Sequence, residues 1–141
     1  MDTTAAPQII EHIRQSVDFT PTDTKWIPGS AIFVVTGVAP KGTGVVRMQQ
    51  LDDGKANVIF SLDHNIETGI KCMTFGHSRL ENRQVALGDY SGRMSIYDLQ
   101  QRSDIPSYNV QAHESIINCI DGVGGLPGRG APEIVTGGKD G

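Results

Sequence analysis

The sequence predicts an all-β fold made of repeated four-stranded units. Three observations carry this: a heavy load of turn residues, an internal repeat of nearly fifty residues, and short apolar runs with strand periodicity. Seventeen glycines and seven prolines punctuate the 141 residues. That is about 17% of the chain against about 12% in average usage, with neither a collagen period nor low-complexity runs. Such a composition disfavours a helix bundle and favours short strands joined by many turns. The chain is 38% apolar, enough for one core.

The repeat sets the order of the elements. Val85 to Gly92 aligns with Ile134 to Gly141, 49 residues further on, and Ile70-Lys71-Cys72-Met73 aligns with Ile117-Asn118-Cys119-Ile120, 47 residues on. A fainter copy relates Gly44 to Leu51 with Gly92 to Leu99, and sets Phe33 to Gly37 in place of the Val85 strand. Strands of the middle unit are expected at about Ile70 to Phe75, Gln84 to Gly88, Arg93 to Leu99 and Ser107 to Val110, separated by Gly, Ser, Asn and Asp clusters. Met94 and Ile96 alternate with Arg93, Ser95 and Tyr97. By contrast Val85-Ala86-Leu87 is apolar throughout, which predicts burial on both faces. Four-stranded units of about 40–50 residues stacked face to face are the pattern of a β-propeller.

Four groups of residues resemble the WD-repeat family. Ala112-His113 stands where that family has Gly-His before the first strand of a blade. Thr136 takes the second-strand position that is usually Ser or Thr, and Asp140-Gly141 takes the turn that holds a buried Asp. Ile96-Tyr97-Asp98-Leu99 stands for the third-strand ending Ile-Trp-Asp-Leu. The resemblance implies that His, Asp, Ser/Thr and the aromatic residue are linked by hydrogen bonds that hold one blade together. Such bonds are worth roughly 1.5–3 kcal/mol each when one partner is charged. No unit here has all four: Tyr97 replaces Trp and Ser91 replaces Asp in the middle unit, and the unit holding His113, Thr136 and Asp140 stops before its third strand. His64, 49 residues before His113, is a candidate counterpart.

The stretches Pro7 to Ile13, Gly42 to Val45, Ile70 to Cys72, Thr74 to Gly76, Ile116 to Asn118, Ile120 to Gly122 and Gly130 to Gly137 are similar to a branch of the family that serves cytoplasmic preassembly of axonemal dyneins. That resemblance implies a seven-bladed, non-catalytic scaffold in the cytoplasm. Its implied partners are proteins: a chaperone complex with AAA+ ATPases, a prefoldin-like module and dynein heavy chains. A WD-repeat adaptor of another complex, chromatin-binding or ubiquitin-ligase, is the alternative. A propeller enzyme is the alternative from another class.

On this reading residues 1–6 form a flexible terminus and 7–14 a strand of the closing blade. Blade 1 spans 20–64, blade 2 spans 66–112, and 113–141 begins blade 3. Seven blades need about 300 residues, so the propeller expected here is incomplete, with about two and a half to three blades of seven.

Other chemistries lack support in the sequence. Twelve Lys and Arg against 16 Asp and Glu give a net charge of −4, without a basic field for nucleic acid or anionic lipid. The longest apolar run, Ala31 to Val35, is far short of the roughly 20 residues that cross a bilayer. The N-terminus lacks the basic and apolar regions of a secretory signal. Cys72 and Cys119, at equivalent positions on apolar first strands, read as buried free thiols of a reduced compartment. No metal or other cofactor is expected, because His64, Cys72 and His77 are too widely spaced for a closed site. The loop Gly122 to Gly130 breaks the dinucleotide fingerprint at Pro127 and reads as a flexible loop, while Gly37 to Gly42 continues with Thr43 where a P-loop needs Lys. Asp52-Asp53-Gly54 reads as a hairpin turn, and Trp26, aligned near Phe75, as a strand core residue. There is no Gly-x-Ser-x-Gly, and no residue is assigned to catalysis.

Expressed alone, residues 1–141 should be poorly soluble or oligomeric, because the blade faces at both ends lack neighbours. A monodisperse, cooperatively unfolding monomer in sedimentation and thermal melts would overturn this domain reading.

Overall fold

The computed structural model describes residues 11–128 and 130–141, with the side chain of His64 also outside the description. Ten strands follow one another: β1 (Thr20–Trp26), β2 (Ile32–Val38), β3 (Gly44–Asp52), β4 (Lys55–Ile66), β5 (Ile70–Thr74), β6 (Gln84–Asp89), β7 (Arg93–Asp98), β8 (Tyr108–Gln111), β9 (Ile117–Val123) and β10 (Glu133–Gly138). They make two four-stranded sheets, β1-β2-β3-β4 and β5-β6-β7-β8, and a two-stranded sheet of β9 and β10. Every ladder is antiparallel between sequence neighbours. The all-β fold of stacked propeller blades is therefore present, and no sheet closes into a barrel.

Local chemistry explains the tightest turn. Asp53 and Gly54 have positive φ of 35° and 78°, and Asp52 pairs with Lys55 across them. A two-residue loop of this kind matches the twist of a hairpin, and Asp-Gly is among the few pairs that adopt it cheaply.

The core lies between the two complete sheets. Val34, Val46, Met48 and Leu62 from the first meet Met73, Val85, Leu87, Tyr97 and Leu99 from the second. Val85, Ala86 and Leu87 are all buried, because β6 is a central strand with a sheet on either side. Ile117 of β9 covers the other face, where a Cβ on Gly88 would lie 2.7 Å from its side chain.

The first strands of successive sheets are also joined by polar bonds. The Thr22 hydroxyl donates to the Ile70 carbonyl at 2.7 Å, and the Met73 amide donates to Asp23 Oδ2 at 2.9 Å. One sheet further on, Cys72 Sγ donates to the Ile117 carbonyl at 3.5 Å. Arg47 on β3 ties down the chain entering β1. Its Nη2 reaches Asp63 at 2.8 Å, its Nη1 donates to Asp18, and its guanidinium lies 4.8 Å from the Phe19 ring centre.

Two expectations need correction. Trp26 is 55% exposed and meets Phe33 edge-on, because it sits on the face of the first sheet turned away from the second. Cys119 is exposed while Cys72 is buried, because no described sheet packs beyond β9. Of the strand expected at 7–14, residues 7–10 lie outside the described residues, and 11–14 join no ladder.

Asp23→Ala should lower unfolding free energy by about 1–3 kcal/mol, since it leaves the buried Met73 amide without an acceptor. Denaturant melts checking this should show a shifted midpoint with an unchanged slope. No shift would mean that the bond between sheets contributes nothing.

Candidate functional site

Of the five residues singled out by the sequence, the structure brings three together. His113 lies in the loop between β8 and β9, Thr136 on β10, and Asp140 in the turn after β10. His113 Nδ1 is 2.8 Å from Asp140 Oδ1, and Nε2 is 3.0 Å from the Thr136 hydroxyl. A carboxylate can only accept, so Nδ1 carries the proton, and in the neutral ring Nε2 accepts from Thr136. The second carboxylate oxygen of Asp140 accepts from the Glu114 amide at 2.7 Å. That amide first, and His113 after it, hold the Asp140 carboxyl below the usual carboxylate value.

The loop that presents His113 is itself held. The amides of Ala112 and His113 both donate to the Gly92 carbonyl at 3.0 Å. The Gln111 side chain donates to the carbonyls of Ser91 and His113, at 2.7 and 2.8 Å. His113 thus joins the end of the second sheet to the third, its backbone bonding the former and its imidazole the latter.

Tyr97 and Asp98 do not join this cluster. Tyr97, on β7, is 4% exposed and belongs to the core between the complete sheets, where burial raises its phenol pKa. Asp98 closes the strand, accepting from the amides of Gln100 and Gln101 at 2.9 and 3.1 Å. His64, the candidate counterpart of His113, has its side chain outside the described residues.

Asp89 was missed by the sequence reading. It is buried, and its Oδ1 accepts from the Ser91 amide, the Ser91 hydroxyl and the Arg93 amide, each at 2.8 Å. This one carboxylate braces the β6–β7 turn in the unit where Ser91 stands in place of Asp. The signal was available: Asp two residues before Ser-Gly is the pattern of a side chain that bonds its own turn.

These groups stabilise strand connections, and their geometry does not resemble a reaction centre. The Cys72 thiol is pushed up to about 11 by burial and then by Asp23, which leaves it protonated and unreactive near neutrality. Among the described residues no group of three or more His, Cys, Asp or Glu is placed to hold a metal ion. The glycine loop after β9 is partly docked rather than free: Gly124 and Gly125 are buried, and the Gly125 amide donates to the Gly76 carbonyl at 3.0 Å.

No family model matches the chain. It is 46% identical over 136 residues to dynein axonemal assembly factor 10 of Xenopus laevis, which spans 96% of this chain and 37% of that protein. The human protein of that name is 43% identical over the same shares. That of Chlamydomonas reinhardtii is 39% identical over 142 residues, spanning 100% of this chain and 39% of its own length. The chain thus spans under two fifths of the length of these curated relatives. Among solved structures, a chain of the mitotic checkpoint complex superposes with a TM-score of 0.67 at 14% identity, over 97% of this chain and 38% of that one. The WD40 β-propeller domain of Doa1 superposes at 0.61 and 16% identity, over 89% and 37%. These structural likenesses show the propeller-blade fold.

Because the folded-state pKa of Asp140 lies below the ordinary 3.8, its contribution to stability is present above that value and is lost as pH falls through the lower, folded one. Asp140→Asn should therefore weaken the protein at neutral pH and flatten the acid limb of its stability profile, read by denaturant melts at stepped pH. Thr136→Val should cost about 1 kcal/mol without changing that limb. An acid limb identical in Asp140→Asn and the parent would remove the carboxylate from this role.

Proposed function

We propose that this chain, homologous over 96% of its length to dynein axonemal assembly factor 10, is part of a non-catalytic WD-repeat scaffold that helps axonemal dyneins assemble. The observation that carries the reading is that homology, joined to an architecture of stacked blades. In this reading the protein works in the cytoplasm. Its partners are a chaperone complex containing AAA+ ATPases, a prefoldin-like module and dynein heavy chains as clients.

The blades divide at 20–64, 66–112 and 113–141. The residues His113, Thr136, Asp140, Tyr97 and Asp98 act as framework positions within those blades. The hydrogen bonds of His113 support this assignment, since they join a strand, a turn and the preceding sheet's last loop. A scaffold needs such a frame because its work is to hold binding surfaces at fixed spacing, and repeat units contact only their neighbours.

Affinity purification of the whole protein from ciliated cells tests the reading. Recovery of AAA+ chaperone ATPases together with dynein heavy chains is the expected result, and loss of dynein arms on deletion is expected with it. Recovery of histones or cullins in their place would sink it.

A further inference from the structure

Three connections emerge from the same end of the stack, each joining the first strand of a sheet to its second: residues 27–31, 75–83 and 124–132. They place Pro28, Leu80 and Leu126 around two adjoining clefts of about 330 and 320 Å³. Leu80 and Leu126 line both clefts, yet they are 49% and 50% exposed. Both clefts are lined by these connections, together with the end of β9 in one of them. Their volume sits at the lower end of the ≈ 300–1,000 Å³ of ordinary ligand clefts.

The loops are preorganised. The Gln84 amide donates to the Ser78 hydroxyl at 2.8 Å, the Gly76 amide to the Thr74 hydroxyl at 3.1 Å, and the Gly125 amide to the Gly76 carbonyl at 3.0 Å. Gly122 and Gly76 lie backbone to backbone, where a Cβ on Gly122 would stand 2.7 Å from the His77 amide nitrogen. His77, next to Gly76, is buried, and neither ring nitrogen has a hydrogen-bond partner among the described residues. Binding to such loops loses little entropy in ordering them.

Charge selects the occupant. Arg79 lines one cleft and Arg83 an adjoining hollow that also contains Leu80. Neither pairs with a carboxylate among the described residues, and Glu81 lines the cleft beside Arg79. This positive rim stands out on a chain whose net charge is −4. We infer that this loop end docks a segment of another protein in which one or two bulky apolar side chains are flanked by Asp or Glu. Leu80 and Leu126 receive the apolar groups, and Arg79 and Arg83 the carboxylates. The inference does not depend on which assembly the scaffold serves.

The test uses the whole protein and three short labelled peptides: a Leu and Phe pair flanked by Glu, the same pair flanked by Lys, and the Glu peptide with Ala in place of both apolar residues. Fluorescence anisotropy should show saturable binding of the first peptide only, weakening as salt is raised. Leu126→Ser should reduce its affinity about fivefold or more, and Arg79→Glu about threefold. Both variants should keep the thermal midpoint of the parent, because the side chains they alter are half-exposed or on the rim. Three results would overturn the inference: no saturable binding, equal binding of all three peptides, or binding unchanged in both variants. Self-association of the parent that Leu126→Ser abolishes, seen by sedimentation, would assign the surface to a second copy instead.

Discussion

A four-stranded sheet in which both faces are apolar can be stable in water only when another sheet lies against each of them. That requirement organises the whole chain. The middle sheet meets it on one side through Met73, Val85, Leu87, Tyr97 and Leu99, and on the other through Ile117. Among the described residues the first sheet has another sheet on one side only, and Trp26 stays at the surface with Phe33 half-buried beside it. Burial is non-directional and would tolerate sliding of one sheet over the next. The bonds from Thr22 and Asp23 into the next first strand are directional, and they set where that strand lies.

The turns and the strand order were legible in the sequence because each depends on residues close together along the chain. Asp53-Gly54 makes its hairpin from two residues, and the run Val85-Ala86-Leu87 marks a central strand whatever its neighbours are. The group of His113, Thr136 and Asp140 was legible only through its likeness to a known repeat, since these residues are brought together by the β9–β10 hairpin. What was not legible depended on neighbours. Cys72 and Cys119 occupy equivalent places in the repeat, yet one is covered by a sheet and the other is not. Trp26 and Phe75 differ in the same way: Phe75 is buried and Trp26 is open. No periodicity within a strand carries that information.

The polar groups fall into two classes by the length of chain they span. Asp89 and Asp98 bond amides within a few residues and shape turns. Asp23 and Thr22 reach nearly fifty residues ahead and act between sheets. His113 stands between them, its ring reaching 27 and 23 residues ahead within its own sheet while its backbone holds to the previous one. Loss of the short-range class frays one turn, whereas loss of the long-range class loosens the stack.

The close approach of Gly76 and Gly122 makes the separation between two neighbouring blades a property of missing atoms. Any side chain added at either position must push both backbones apart, and the other glycine then no longer fills the widened gap. The two sites are therefore tied as a pair. A larger residue at one is not repaired by a larger residue at the other, so this part of the chain has almost no compensating routes by which its sequence can drift.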